Sequence, residues 1–316
     1  MKELKSLKAL NNKNLLVVVP INEFEEETLN ESLFSLSNQT NESDVLFLVS
    51  SDCSKESLEK LSEIASKPYK RVFDSDEEGN PKSEIISSDK SLNFAIEKTE
   101  SKSFNSIFNE AFNIALSNGY KWLSVIDKDD TVESNWIYNF DRYSKQMDNV
   151  SIFFPIVRQI SAGNMTGHLN EATWLEGRSE VAGQADLQML MSWNCLSPTG
   201  CMIKLEDVKE YSEEVEGMYY PFKENMNVAS SYEFFLRMVY EDLKTYTIPR
   251  FGYQMRMDVN ASTFDRFSSK IPSNVTQLEI SKGGITAHEI GFWMEQAKSE
   301  YFMSEDRDIE YEPQNA

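Results

Sequence analysis

Three short apolar runs, NLLVVVP (14–20), DVLFLVS (44–50) and WLSVI (122–126), each stop abruptly at polar residues. Runs of this length, rich in β-branched and aromatic residues and without polar alternation, read as strands buried on both faces. Between them lie segments of helical period. EEETLNESLFSLSNQ (25–39) carries Leu29, Leu33 and Leu36 on one face, and KESLEKLSEIASK (55–67) carries Leu58, Leu61, Ile64 and Ala65. FNSIFNEAFNIALSNGY (104–120) carries Phe104, Ile107, Phe108, Ala111, Phe112 and Ala115, and Asn118-Gly119 closes it. Buried strands alternating with amphipathic helices imply an α/β fold with a mostly parallel central sheet flanked by helices. In such sheets ligands bind beyond the carboxyl ends of the strands. Those ends are PINE (20–23), SSDCS (50–54) and DKDD (127–130), all polar.

The rest of the chain is less regular. Residues 1–13 form a short amphipathic lead-in, and 74–91 read as a polar, acidic loop. VSIFFPIV (150–157) is a strand stopped by proline, and 171–194 mixes loop and helix. Residues 199–211 read as a strand and a short helix, 230–243 as a strong helix, and 244–257 as a strand pair or strand and turn. Residues 258–316 form a C-terminal extension with one amphipathic helix near 287–302 and an acidic tail.

Charge excludes some tasks. The 316 residues hold 52 acids against 31 bases, a net charge of −21, which repels phosphate backbones and anionic lipid. Nucleic acid is therefore not an expected partner. No apolar run is long enough to span a membrane, and the N-terminus lacks a secretory h-region. Cys53, Cys195 and Cys201 have no metal-site spacing, and two histidines make zinc a poor candidate. These features give the expectation of a soluble, reduced, cytoplasmic protein.

The acids Asp127, Asp129 and Asp130, with Lys128 between them, follow a buried strand directly. Either they hold a cation at the sheet edge or they form a solvated turn.

The order LLVVVPINE, helix, DVLFLVSSDCSKE, FNEAFNIAL, WLSVIDKDDTV, and then SSYEFFLRMVYEDLKTYTIP, resembles the family 2 glycosyltransferases of GT-A fold. The resemblance covers 14–257, with 14–130 as the nucleotide-binding half and 131–257 as the acceptor half. It implies a metal-dependent inverting enzyme that moves a sugar from a nucleotide-diphosphate donor to a saccharide, lipid-linked or protein acceptor. Asp127 and Asp129 would hold Mn²⁺ or Mg²⁺ against the diphosphate, because a divalent ion neutralises the charge that develops on the leaving group. Alternate residues of an extended segment point the same way, so these two acids are expected to share one ion. Pro20, Asn22 and Glu23 would border the donor, although Asn22 and Glu23 also suit helix capping. Ser51 and Asp52 would meet the nucleoside, or equally form a turn into the next helix. Asn109 would contact the ligand or make a buried hydrogen bond. Asp130 would face the sugar or the supporting loop, and Glu233 or Glu224 would replace the family's base.

The departures are specific. PINE is one residue short of Pro-x-x-Asn, Ser50-Ser51 replace paired aspartates, Phe108 stands for an arginine, and Ser230-Ser231 occupy the Glu-Asp position of the base. Ser230 to Glu233 reads instead as an S-x-x-E capping box. These losses support a second reading, a non-catalytic GT-A protein serving as a binding or structural subunit, for example of a virus particle, or forming a homo-oligomer. A nucleotidyltransferase is the third class, but PINEFEEE is acidic where a triphosphate needs a basic, glycine-rich loop. His288 would complete a metal site only as a lone histidine on a helix.

Overall fold

In the computed structural model the described residues are Leu7, Leu10 and 12–257, apart from 76–80, 102, 162, 177–178, 193–194 and 225–229, together with Met294, Glu295, Ala297 and Lys298. The expectations for His288 and the acidic tail lie outside them.

The chain alternates β1 (Leu15–Ile21), α1 (Glu26–Ser37), β2 (Asp44–Ser50) and α2 (Lys55–Ser66), then forms a hairpin of β3 (Tyr69–Ser75) and β4 (Pro81–Ser87). Next come β5 (Asn93–Thr99), α3 (Phe104–Ser117), β6 (Trp122–Val125), the short β7 (Thr131–Val132) and α4 (Trp136–Gln146). The second half adds β8 (Ile152–Ser161), β9 (Asn164–Leu169), a 3₁₀ turn (Glu171–Trp174), α5 (Leu187–Ser192), β10 (Met202–Lys204) and α6 (Leu205–Lys209). A small hairpin of β11 (Glu213–Val215) and β12 (Met218–Tyr220) precedes α7 (Ser230–Tyr240) and β13 (Thr245–Arg256).

One sheet runs in the order β5-β2-β1-β6-β10-β8-β13-β7, with β9 added on β8. β1, β2, β5 and β6 are mutually parallel, and β10 lies antiparallel between β6 and β8. The alternation within β1 explains its unbroken apolar sequence. Leu15, Val17, Val19 and Ile21 pack with Leu29 and Leu33 of α1, while Leu16 and Val18 pack with Phe108 and Phe112 of α3 on the opposite face. Both faces are thus covered, and each fully buried aliphatic side chain contributes about 1.5–3 kcal/mol. The result is the α/β architecture of GT-A type.

Three expectations change. Pro20 does not stop β1, which runs on to Ile21. It lies two residues beyond the last β1–β6 pair, Val18 with Val125, so its missing N–H costs no ladder bond there. Pro155 likewise sits inside β8. The expected loop at 74–91 holds β4, paired with β3 from Tyr69↔Ser87 to Ser75↔Pro81. Phe73 and Ile85 of that hairpin are exposed, so no buried stripe marked it.

Candidate functional site

A cavity of about 1070 Å³ opens at the carboxyl ends of β1, β2 and β5. Asn22 and Glu23 line it from β1, Ser50, Asp52 and Cys53 from β2, and Thr99 and Ser101 from β5. The first turn of α2 adds Ser54, Glu56 and Ser57. Ser54 caps that helix, its hydroxyl accepting from Ser57 N–H at 3.0 Å. Four carboxylates, Glu23, Glu26, Asp52 and Glu56, face the cavity against one lysine, Lys60, which Glu26 holds at 3.1 Å. Such a wall accepts hydrogen bonds from neutral N–H and O–H groups and repels anions. The Cys53 thiol is pushed up by burial and then by the nearby Asp52 and Glu23 carboxylates.

The expected donor residues divide. Asn22, Glu23 and Asp52 line the cavity; Pro20 does not and is buried in β1. Ser51 turns aside, donating its hydroxyl to Glu100 at 2.8 Å and its N–H to Thr99. Ser50, one residue earlier, takes the lining position, and its Oγ accepts from Asp52 N–H at 3.3 Å. Thr99 and Ser101 were missed because β5 was not recognised; its signal was the half-alternating NFAIEKT.

Asn109 is not among the cavity's lining residues. Its carboxamide grips the backbone of Phe222 twice, Nδ2 to the carbonyl at 2.8 Å and Oδ1 from the N–H at 2.9 Å. Asn113, one turn on, grips Tyr219 in the same way at 2.7 and 2.8 Å, and Asn105 donates to Lys223 O at 3.0 Å. This asparagine ladder along α3 satisfies backbone groups of β12 and of the segment that follows it, Phe222 and Lys223.

The acids after β6 are not on an extended segment. Asp130 N–H donates to Asp127 O at 3.2 Å, and Asp129 N–H donates to Asp127 Oδ1 at 3.0 Å, so 127–130 is a turn closed by its first side chain. The face-sharing expected of alternating strand residues is therefore lost. Lys128 Nζ sits 2.7 Å from Asp129 Oδ2, with both side chains buried. Asp130 accepts from Tyr253 Oη at 2.9 Å and from Arg256 N–H at 2.8 Å. Burial, then the Asp130 and Asp127 charges, drive the Tyr253 hydroxyl well above its ordinary range, so it remains a donor. A dication prefers several open carboxylate oxygens. Here Asp129 already carries an ammonium and Asp130 has a partner on each oxygen. Among the described residues no group of three or more His, Cys, Asp or Glu is arranged for a metal. Two of the three acids of the turn are thus committed within the fold.

Glu233, fully buried on α7, accepts from Arg237 Nε at 2.9 Å and pairs with Lys223 at 3.3 Å. Arg237 also donates to the carbonyls of Tyr211 and Pro221. The expected capping box with Ser230 gives way to this i,i+4 ion pair, since α7 already begins at Ser230. Glu224 is exposed. In the acceptor half, Trp174 donates to Thr247 O at 2.9 Å and packs edge-on against Tyr246.

No protein-family model matches the chain, and no curated protein does. Solved structures do. S. aureus TarS 1-349 aligns with a TM-score of 0.50 at 16% identity, over 77% of this chain and 60% of that one. TarS 1-349 in complex with UDP-GlcNAc aligns with a TM-score of 0.48 at 14% identity, over 91% and 71%. This chain thus spans less than two thirds of the first of these. The likeness is one of fold. No helix among the described residues is long and apolar enough to cross a membrane.

Proposed function

We propose that the protein is a glycosyltransferase that takes its sugar from a nucleotide-diphosphate donor. The observation that carries this reading is the cavity of about 1070 Å³ at the ends of β1, β2 and β5 in a sheet of GT-A type. Its acceptor-rich wall, with Asn22, Glu23, Ser50 and Asp52, suits the N–H and hydroxyl donors of a nucleoside. The diphosphate then extends away from these carboxylates, toward the β6 side. The reaction is transfer to an acceptor hydroxyl with inversion: the acceptor oxygen bonds to the anomeric carbon as the bond to the diphosphate breaks. The proton of the acceptor passes to a carboxylate or water. Asp130 and Glu233 are poor bases, because both are held by structural partners. The acceptor is a saccharide, lipid-linked or protein hydroxyl.

A second reading, a non-catalytic binding or structural subunit, draws support from the commitment of those two carboxylates. Titration calorimetry with UDP and GDP, with and without Mn²⁺, separates the two. Binding of one nucleotide, with protection of Cys53 from alkylation, supports the enzyme. No binding by a folded protein that forms a stable oligomer in light scattering supports the subunit.

A further inference from the structure

Three charged groups of the turn 127–130 are already engaged within the fold, and one retains bonding capacity. Asp127 Oδ1 accepts from Asp129 N–H, and both Asp130 oxygens accept from β13. Lys128 is 5% exposed, and its single hydrogen-bond partner among the described residues is Asp129 Oδ2 at 2.7 Å. An ammonium has three donors, so two remain to be used. The turn follows β6, and β6 is the immediate neighbour of β1, whose far end carries Asn22 and Glu23 into the cavity. Among the described residues lining the cavity the one lysine, Lys60, is held by Glu26 at 3.1 Å and lies near Glu63 at 3.9 Å. A diphosphate needs a counter-charge, and the acidic wall does not supply it.

We propose that Lys128, held by its bond to Asp129 beside the β1 end of the cavity though not among its lining residues, is the residue that meets the donor diphosphate, and that it supplies the positive charge a divalent metal was expected to bring. This rests on the nucleotide reading above and narrows it. A cation fixed in place by a buried partner needs no reorganisation when the anion arrives. The arrangement also explains why the acids of the turn are closed off: Asp129 orients the lysine, and Asp127 and Asp130 shape the turn that carries it.

The test compares UDP with uridine on the full chain, in chelator and in Mn²⁺. The wild type is expected to bind UDP in chelator with a dissociation constant within about two-fold of that in Mn²⁺. Lys128→Met is expected to weaken UDP roughly ten-fold or more and to leave uridine almost unmoved, since a charge-assisted hydrogen bond is lost only by the phosphate ligand. Lys128→Arg is expected to recover part of the UDP affinity. Should Lys128→Met fail to fold for want of the Asp129 ion pair, Lys128→Met/Asp129→Asn removes the carboxylate's charge as well, and the wild-type metal comparison needs no variant. UDP binding that requires Mn²⁺, or a loss of UDP and uridine in equal measure, overturns the role of Lys128 and leaves the nucleotide reading standing. Absence of binding by UDP, GDP and uridine in every condition overturns the nucleotide reading itself.

Discussion

The hydroxyl of Tyr253 lies 2.9 Å from Asp130 Oδ2 and 3.1 Å from the backbone nitrogen of Asp127, so one side chain of β13 pins both ends of the acid turn. Tyr253 is fully buried. Tyr253→Phe keeps the ring and strands a carboxylate oxygen and an N–H. The expected loss is about 1–3 kcal/mol in urea unfolding, with weaker UDP binding because the turn that carries Lys128 loosens. Unchanged stability would mean that water replaces the hydroxyl at no cost.

Glu233 is expected to serve stability. Removing its charge leaves Arg237 and Lys223 facing a neutral amide in a buried setting. Glu233→Gln should lower unfolding free energy by about 3 kcal/mol, read from chemical denaturation. A variant of wild-type stability that has lost transfer activity would instead return Glu233 to the role of base.

The asparagine ladder makes a second stability prediction. Asn109→Ala leaves the N–H and carbonyl of Phe222 without partners, at about 1–3 kcal/mol for each buried group. Asn113→Ala should cost less, since Asn113 is only partly buried. Hydrogen exchange at the Phe222 and Tyr219 amides reports each loss separately.

Asp44 predicts a pH dependence. It is fully buried at the start of β2, and burial raises its pKa above the ordinary 3.8, partly offset by hydrogen bonds from Tyr120 and Asn93. The folded state therefore holds this proton more tightly than the unfolded chain. Its contribution to stability is greatest at low pH and falls as pH rises through the folded-state pKa. Asp44→Asn removes that titration. The difference in unfolding free energy, wild type minus Asp44→Asn, should decline with rising pH, and a flat difference would refute the shift.

Much of the central sheet was legible because its strands are buried on both faces. β1 and β2 read as solid apolar runs, and α3 as a clean stripe. β3 and β4 hid because their hairpin leaves Phe73 and Ile85 in solvent, and β5 hid because it is an edge strand with a half-buried Glu97 and an exposed Lys98 in its apolar run. Two of the three polar strand ends, PINE and SSDCS, lie at the cavity and bring Asn22, Glu23 and Asp52 to it, whereas DKDD supplies none of its lining residues. The turn at 127–130 was misjudged for a definite reason. Its geometry is set by Tyr253 and Arg256, and no local pattern around Asp127 names them. Glu233 shows the same limit at short range, where Ser230 and Arg237 compete for one carboxylate.

The bonds from β13 to Asp130 have a consequence for how the protein is made. Asp130 and Arg256 are separated by 126 residues, so on a ribosome the acid turn emerges roughly 6–25 s before the strand that holds it. During that interval β1, β2 and β6 can pair, but Asp130 lacks its two bonds from β13. The half that carries the cavity therefore matures only when the other half arrives, and a nascent chain stalled before β13 would carry the cavity walls with an unfastened turn beside them.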